Sequence, residues 1–378
     1  MKSKKHVLIL PKWYPNETDI QLGIFIQNQA ILLSEQFQVS VIYVRGKKQK
    51  EKFAVSSNFQ NGVQEISVTY QQGNFLSKPF NLLRYHKAQK LGLAALKTPV
   101  SLCHVHVPIR PLFLANYLNK HQQIPFCVTE HWSGHLNGAY TKKSFIYKWF
   151  YRHALKKAAV LTTVSAKLQT SFLNNTGYPS KVIPNYIQSF PLKHPIKKEG
   201  INLISVSDLN NSTKNVTGLL NAFSMALQQN ENLILTIIGD GPDRLMVEEK
   251  IIALHLKNNV RLLGRFEHSA VLEALPSYQF YICNSNVETF GMTVAEAVLA
   301  GLPVICTKCG GPEAFLNKEN AILVDTNDTT MLAKSILTMS RQYQNYNHEK
   351  NQKDILEKYG KKAITNKWTA LYQSILPE

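Results

Sequence analysis

The chain has 378 residues, 44% of them hydrophobic, which is room for two ordinary domains because single cores seldom grow past about 250–300 residues. Its net charge of +18 sits almost wholly in one half: residues 1–195 carry 25 basic against 6 acidic residues, and no acidic residue occurs from His131 through Lys198. No apolar run reaches the roughly 18–20 residues of a membrane span, the apolar part of MKSKKHVLILPKWYP is short for a signal peptide, and five cysteines, an odd number, do not make a secreted disulfide framework.

In chain order, HVLIL, VSVIYV, SLCHVHV, PFCVT and AVLTTV read as buried strands. Segments near 20–35, 80–97, 142–157 and 165–175 have helical periodicity between them. Such β-α alternation predicts a parallel sheet covered on both faces. Prolines and lysines in SFPLKHPIKKEG (189–200) interrupt the pattern, and INLISVS restarts it, so the seam is placed there, with domains at 1–190 and 191–378, the last helix of the second expected to pack back on the first. In the second half NLILTIIGDGP, VRLLG and FYICNS are strands, and MTVAEAVLAG is a helix closed by Gly301 before strand PVIC. The fold class is therefore α/β, two doubly wound Rossmann-like domains.

The stretch NSNVETFGMTVAEAVLAG sets Glu288 and Glu296 on either side of a strand-to-helix turn. Ligands of open α/β sheets bind beyond the carboxyl ends of strands, and the backbone N–H groups of Phe290, Gly291, Met292 and Thr293 at a helix start suit a phosphate. Glu296, about a turn further on, can accept two hydrogen bonds from a ribose diol, and Glu288 in the loop is freer to reach a sugar hydroxyl. The structural alternative is a helix start stabilised by acidic side chains, worth about 0.3–1 kcal/mol each. Cys306 and Cys309 form a C-x-x-C without a second pair, and that spacing is read as chance. His104 and His106 alternate along a strand with no carboxylate nearby to complete a metal site.

TFGMTVAEAVLAGLPVI followed by GGPEA resembles the signature of retaining glycosyltransferases of family 4 (group 1), with the GT-B fold of two domains facing a central cleft, which implies an acceptor-side domain at 1–190 and a nucleotide-sugar-binding domain at 191–378. The resemblance implies that Glu288 contacts the donor sugar and Glu296 the ribose of a nucleotide sugar, UDP- or GDP-linked, with no separate cofactor and no catalytic metal. LPKWYPNETDIQLGIFIQNQA looks like the family's first loop and helix, which assigns Gly23 to the donor phosphates, and VTEHWSG implies His131 as the active-site histidine. TVSAKLQTSF, KVIPNYI and IIGDGP match in turn, so the likeness covers nearly the whole chain. SVSDLNNSTKN departs from it: where a Gly-Arg-Leu step is usual, Asp208 and Leu209 follow Ser207. Lys214 then remains as a point charge for the diphosphate, and Arg265 is the candidate to replace the arginine. His106 and Arg110, with His104 beside them, are candidates to touch acceptor.

The expected reaction is sugar transfer with retention to a lipid-linked or cell-envelope glycan in surface polysaccharide synthesis. The enzyme is expected in the cytoplasm, held peripherally to the anionic inner face of the membrane. The basic segments 78–97 and 142–157 would make that contact electrostatically, their apolar faces packed on the sheet and only their basic rims turned out. A catalytically silent partner subunit is the alternative that the missing arginine raises. Nucleic-acid binding is disfavoured, since a polyanion grip needs no such glutamate pair.

Overall fold

The computed structural model describes residues 4–73, 78–191 and 199–376, in two compact units: residues 1–186 with 361–378, and residues 187–360. Residues 192–198 of the expected seam lie outside the described residues.

The first unit runs β1 (His6–Pro11), α1 (Ile24–Ser34), β2 (Gln38–Lys47), β3 (Phe53–Gln60), β4 (Val63–Gln71), α2 (Lys78–Ala94), β5 (Leu102–His106), α3 (Leu112–Gln122), β6 (Phe126–Glu130), α4 (Phe145–Leu155), β7 (Val160–Thr163), α5 (Ala166–Thr176) and β8 (Lys181–Val182). Its sheet has the order β3-β4-β2-β1-β5-β6-β7-β8, parallel except where β3 pairs antiparallel with β4. That hairpin turns on Asn61 and Gly62, both at positive φ, as a two-residue loop between twisted strands requires. Alternation along the strands feeds two cores. Leu8, Val44, Cys103 and Phe126 face α2, α3 and α4 on one side, while Val7, Val41 and Cys127 face α1 on the other.

The second unit runs β9 (Ile201–Val206), α6 (Asn211–Lys214), α7 (Val216–Leu227), β10 (Leu233–Ile238), α8 (Arg244–Ala253), β11 (Val260–Gly264), α9 (His268–Ala274), β12 (Phe280–Cys283), α10 (Met292–Leu299), β13 (Val304–Thr307), β14 (Ala321–Val324), α11 (Thr329–Gln342) and α12 (His348–Tyr359). All its strands are parallel, in the order β11-β10-β9-β12-β13-β14. After Gly360 the chain returns to the first unit as α13 (Lys361–Gln373), whose Trp368 and Tyr372 are buried in the core beside α1.

The parallel strand order reverses between β1 and β5 in the first sheet and between β9 and β12 in the second. At such a switch point neighbouring loops diverge to opposite faces and leave a crevice beyond the strand ends. Gly23 and Arg110 follow the first pair of strands; Lys214 and Glu288 follow the second. The topology thus brings together residues 74 apart in sequence.

Candidate active site

In the second unit, α10 begins at Met292 after Gly291, whose φ of 85° is left-handed and whose position carries no side-chain cap. The first helical bond runs from Ala295 N–H to Gly291 O, so the N–H groups of Met292, Thr293 and Val294 precede the helical ladder and are available to an anion. Phe290 contributes differently: its side chain is buried against Phe315 and Tyr359 and anchors the turn. Thr293 Oγ1 lies 2.9 Å from the Tyr281 hydroxyl, which also donates to Val206 O at 3.0 Å, tying the helix start to the ends of β9 and β12.

The Gly-Gly step explains itself here. Glu288 N–H donates to Cys309 O (2.9 Å) and Gly311 N–H donates to Glu288 O (2.8 Å). A Cβ on Gly311 would come within 2.4 Å of the Phe290 backbone, so no larger residue allows this approach.

Glu288 is less free than its loop position suggests. Lys214 Nζ is 2.6 Å from Oε1, and Ser285 Oγ donates to the same oxygen at 2.7 Å. Burial works against the Lys214 ammonium, but the Glu288 charge and hydrogen bond outweigh it and hold its pKa above the ordinary lysine range. Glu296 is buried on α10, and its Oε1 lies 2.8 Å from His268 Nε2, leaving Oε2 for a ligand. The hydrogen bond to Glu296 raises the His268 pKa, with burial opposing it. Arg265 Nη2 stands 3.3 Å from Asp208, the residue that occupies the expected arginine's place, so the candidate replacement does reach that loop.

In the first unit Gly23 caps α1 at φ 69°, and a Cβ there would meet Trp13 O at 2.4 Å. Phe25, two residues on, packs its ring 4.8 Å from His131. His131 Nε2 is 3.0 Å from His106 Nδ1, and their rings stack at 5.3 Å. Two ring nitrogens, His131 Nδ1 and His106 Nε2, are buried without a protein partner. Burial lowers the His131 pKa to about 4, so the ring is neutral at physiological pH and offers one donor and one acceptor. His104 is otherwise engaged: Nδ1 meets the Tyr372 hydroxyl and Nε2 meets Thr129 Oγ1, both at 2.7 Å, and burial takes its pKa to about 3. Its role is to join the sheet to α13. Arg110 is exposed, 5.7 Å over the Tyr85 ring. The loop between His106 and Arg110 holds Val107 and Ile109 at φ 54° and 87°, strained values for β-branched residues and of a kind that clusters at functional sites.

Sequence reasoning missed three supporting residues. Glu130 accepts from the N–H groups of His131 and Trp132 (2.8 Å each) and from the Tyr151 hydroxyl, fixing the backbone that presents His131; the acid next to the histidine was the signal. Ser285 and His268 had none, because each matters only through its contact with a glutamate.

Two family descriptions divide the chain between them: glycosyl transferases group 1 matches residues 187–363, and glycosyltransferase family 4 matches residues 23–188. The chain belongs to the group 1 glycosyltransferases. Among curated relatives, 2-deoxystreptamine N-acetyl-D-glucosaminyltransferase of Niallia circulans is 39% identical over 103 residues, 27% of this chain and 26% of that one. N-acetyl-alpha-D-glucosaminyl L-malate synthase of Bacillus anthracis is 25% identical over 332 residues, 82% of this chain and 84% of that one. The solved structure of Anabaena HepE in complex with UDP and glucose superposes with a TM-score of 0.72 at 16% identity, covering 98% of this chain and 100% of that one, and shares the fold. The GT-B class of two Rossmann-like domains holds for this group 1 glycosyltransferase. Among the described residues no helix is long and apolar enough to cross a membrane.

Proposed function

We propose that this glycosyltransferase moves a sugar from a nucleotide-sugar donor to a glycan or lipid-linked acceptor of the cell envelope, with retention at the anomeric carbon. The observation that carries the reading is the cluster at the β9/β12 switch point: a cation, a helix start with free N–H groups, and two carboxylates near it, Glu296 buried and Glu288 partly so. The donor diphosphate would lie on the N–H groups of Gly291, Met292 and Thr293 with Lys214 as its cation and Arg265 as a second one, while Glu296 Oε2 accepts from the ribose diol. Glu288 would orient the sugar through a hydroxyl, and the departing phosphate would take the acceptor proton, with no metal ion needed for the leaving charge. Gly23 and His131 would serve the same reaction from the first unit, with His106 and Arg110 toward the acceptor. UDP-N-acetylglucosamine is the first donor to test, since both curated relatives are named for N-acetylglucosaminyl chemistry and the Anabaena structure holds UDP.

Asp208 in the arginine's place favours one second reading, a silent partner subunit. Incubation with nucleotide sugars and extracted envelope lipids separates the two: release of free nucleotide with a new glycosidic product supports the enzyme, and donor binding without turnover supports the silent subunit.

The acceptor side is proposed to rest on an anionic membrane at the cytoplasmic face. One expectation is corrected here: the apolar residues of 142–157 do not all pack inward. Tyr151 and Leu155 are buried, but Phe145, Ile146, Trp149 and Phe150 are 80%, 67%, 50% and 61% exposed. They lie one helical turn apart on α4, flanked by exposed Lys142, Lys143, Arg152, Lys156 and Lys157. On α2, Leu83 and Phe80 are exposed likewise. An apolar stripe rimmed by lysine suits the headgroup boundary, and each basic residue adds at most about 1 kcal/mol near anionic lipid. Liposome sedimentation tests it. Binding to anionic but not neutral vesicles, weakened by salt and by F145S/W149S, is expected; equal binding to both vesicle types overturns it.

A further inference from the structure

Cysteine is commonly buried as a small apolar residue, and two of the five behave that way: Cys103 belongs to the core on one face of the first sheet and Cys127 to the core on the other. The other three do not. Phe280 and Ile282 of β12, and Ile305 of β13, turn into the apolar core of the second unit. By strand alternation Cys283 and Cys306 point the other way, and the register sets them side by side. Cys309, beyond the end of β13, completes the group: the three Sγ atoms lie within 4.8 Å of one another, and all three residues are buried. The C-x-x-C spacing alone gave two ligands, and the third comes from a strand 23 residues earlier.

We propose that Cys283, Cys306 and Cys309 form a three-thiolate site for a soft monovalent cation of the Cu(I) type. An ion bonded to three sulfurs at about 2.3 Å holds them about 4 Å apart, so closure asks the sulfurs to move by less than an ångström. Thiolate-only donor sets select soft ions. A zinc site of structural type takes a fourth protein ligand, and among the described residues no further histidine, cysteine or carboxylate joins this group. Ligation displaces the thiol protons to solvent, and no electron is transferred. Cys306 is fully buried, whereas Cys283 and Cys309 keep 6% exposure each, so the ion enters from their side. Cys283 Sγ is 3.5 Å from Ser285 Oγ, which donates to Glu288, and the Cys309 carbonyl accepts from Glu288 N–H, so the thiol site adjoins the donor pocket and shares with it only that backbone carbonyl.

The test uses the full-length, reduced, chelator-stripped protein under anaerobic conditions. Cu(I) is delivered against a colorimetric Cu(I) chelator, and Cd(II) serves as an ultraviolet probe of thiolate ligation. The expected results are one equivalent of Cu(I) retained, a Cd(II)–thiolate band, and a rise in the urea midpoint on loading. C306S and C309S, each checked for native circular dichroism, should weaken binding by more than the roughly 10–100-fold that loss of an outer-shell partner costs. C103S and C127S should bind as the parent does. Failure of the parent protein to retain an equivalent, or equal loss in C103S, overturns the proposal.

Discussion

Replacing Glu296 by Gln keeps the shape of the side chain and removes its charge, at a position 5% exposed on α10. One carboxylate oxygen already meets His268 at 2.8 Å, so in the proposed binding mode the ribose diol would take the other. A hydrogen bond to a charged group contributes about 1.5–3 kcal/mol, and Glu296→Gln should therefore weaken UDP binding by about 10- to 150-fold. Titration calorimetry with UDP alone reads this without any contribution from the sugar. His268→Gln is the companion variant: it leaves the carboxylate charged and should cost much less. Unchanged UDP affinity in Glu296→Gln, with the protein folded, refutes the ribose assignment and leaves the pair to a structural role.

The remaining outcomes concern neighbouring contacts. Lys214→Met strips the partner from a carboxylate only 15% exposed and should lower stability in urea by about 2–3 kcal/mol, below the full cost of orphaning a buried ion because some solvent remains; adding Glu288→Gln should restore at least about 1 kcal/mol, and strict additivity of the two would dismiss the pair. Because Glu296 raises the His268 pKa, the stability this pair contributes is fully present below about 6.5 and is lost as pH rises through the raised value; urea midpoints from pH 5.5 to 8.5 should fall less in Glu296→Gln than in the parent. Turnover should persist in EDTA, and activity abolished by EDTA and returned only by Mg2+ or Mn2+ would mean the diphosphate is held another way.

The β-α alternation made the class of both units legible from the sequence, because buried parallel strands read as continuous apolar runs. The Asn-Gly of the β3–β4 hairpin was an available signal that the alternation pattern obscured, since β3 is an exposed edge strand without an apolar run of its own. Within the site, Glu288, Glu296 and the helix start could be placed because they share one short segment. Lys214 facing Glu288, His268 facing Glu296, and Cys283 facing the C-x-x-C could not, since each contact depends on strand order and register across 23 to 74 residues. The outward turn of α4 was misread for a different reason: periodicity tells that a helix has an apolar stripe, and this helix has two, Tyr151 and Leu155 inward and Phe145, Ile146, Trp149 and Phe150 outward.

The Lys214–Glu288 contact also bears on order of events in the proposed reaction. Without donor, the cation proposed for the diphosphate is paired with the carboxylate proposed for the sugar, at 2.6 Å. A diphosphate carries more negative charge than one carboxylate and, lying on the α10 N–H groups, competes for the ammonium on favourable terms. Once Lys214 turns to the diphosphate, Glu288 Oε1, which bears both contacts, keeps only the Ser285 hydroxyl and can accept from a sugar hydroxyl alongside Oε2. Asp208 sharpens this dependence: with a carboxylate where an arginine is expected, and Arg265 paired to it, Lys214 is the nearest uncommitted charge only after it leaves Glu288. Donor recognition and sugar positioning are then one exchange of ionic partners, so a nucleoside monophosphate, which lacks the second phosphate to draw Lys214 away, should bind with the Lys214–Glu288 pair intact.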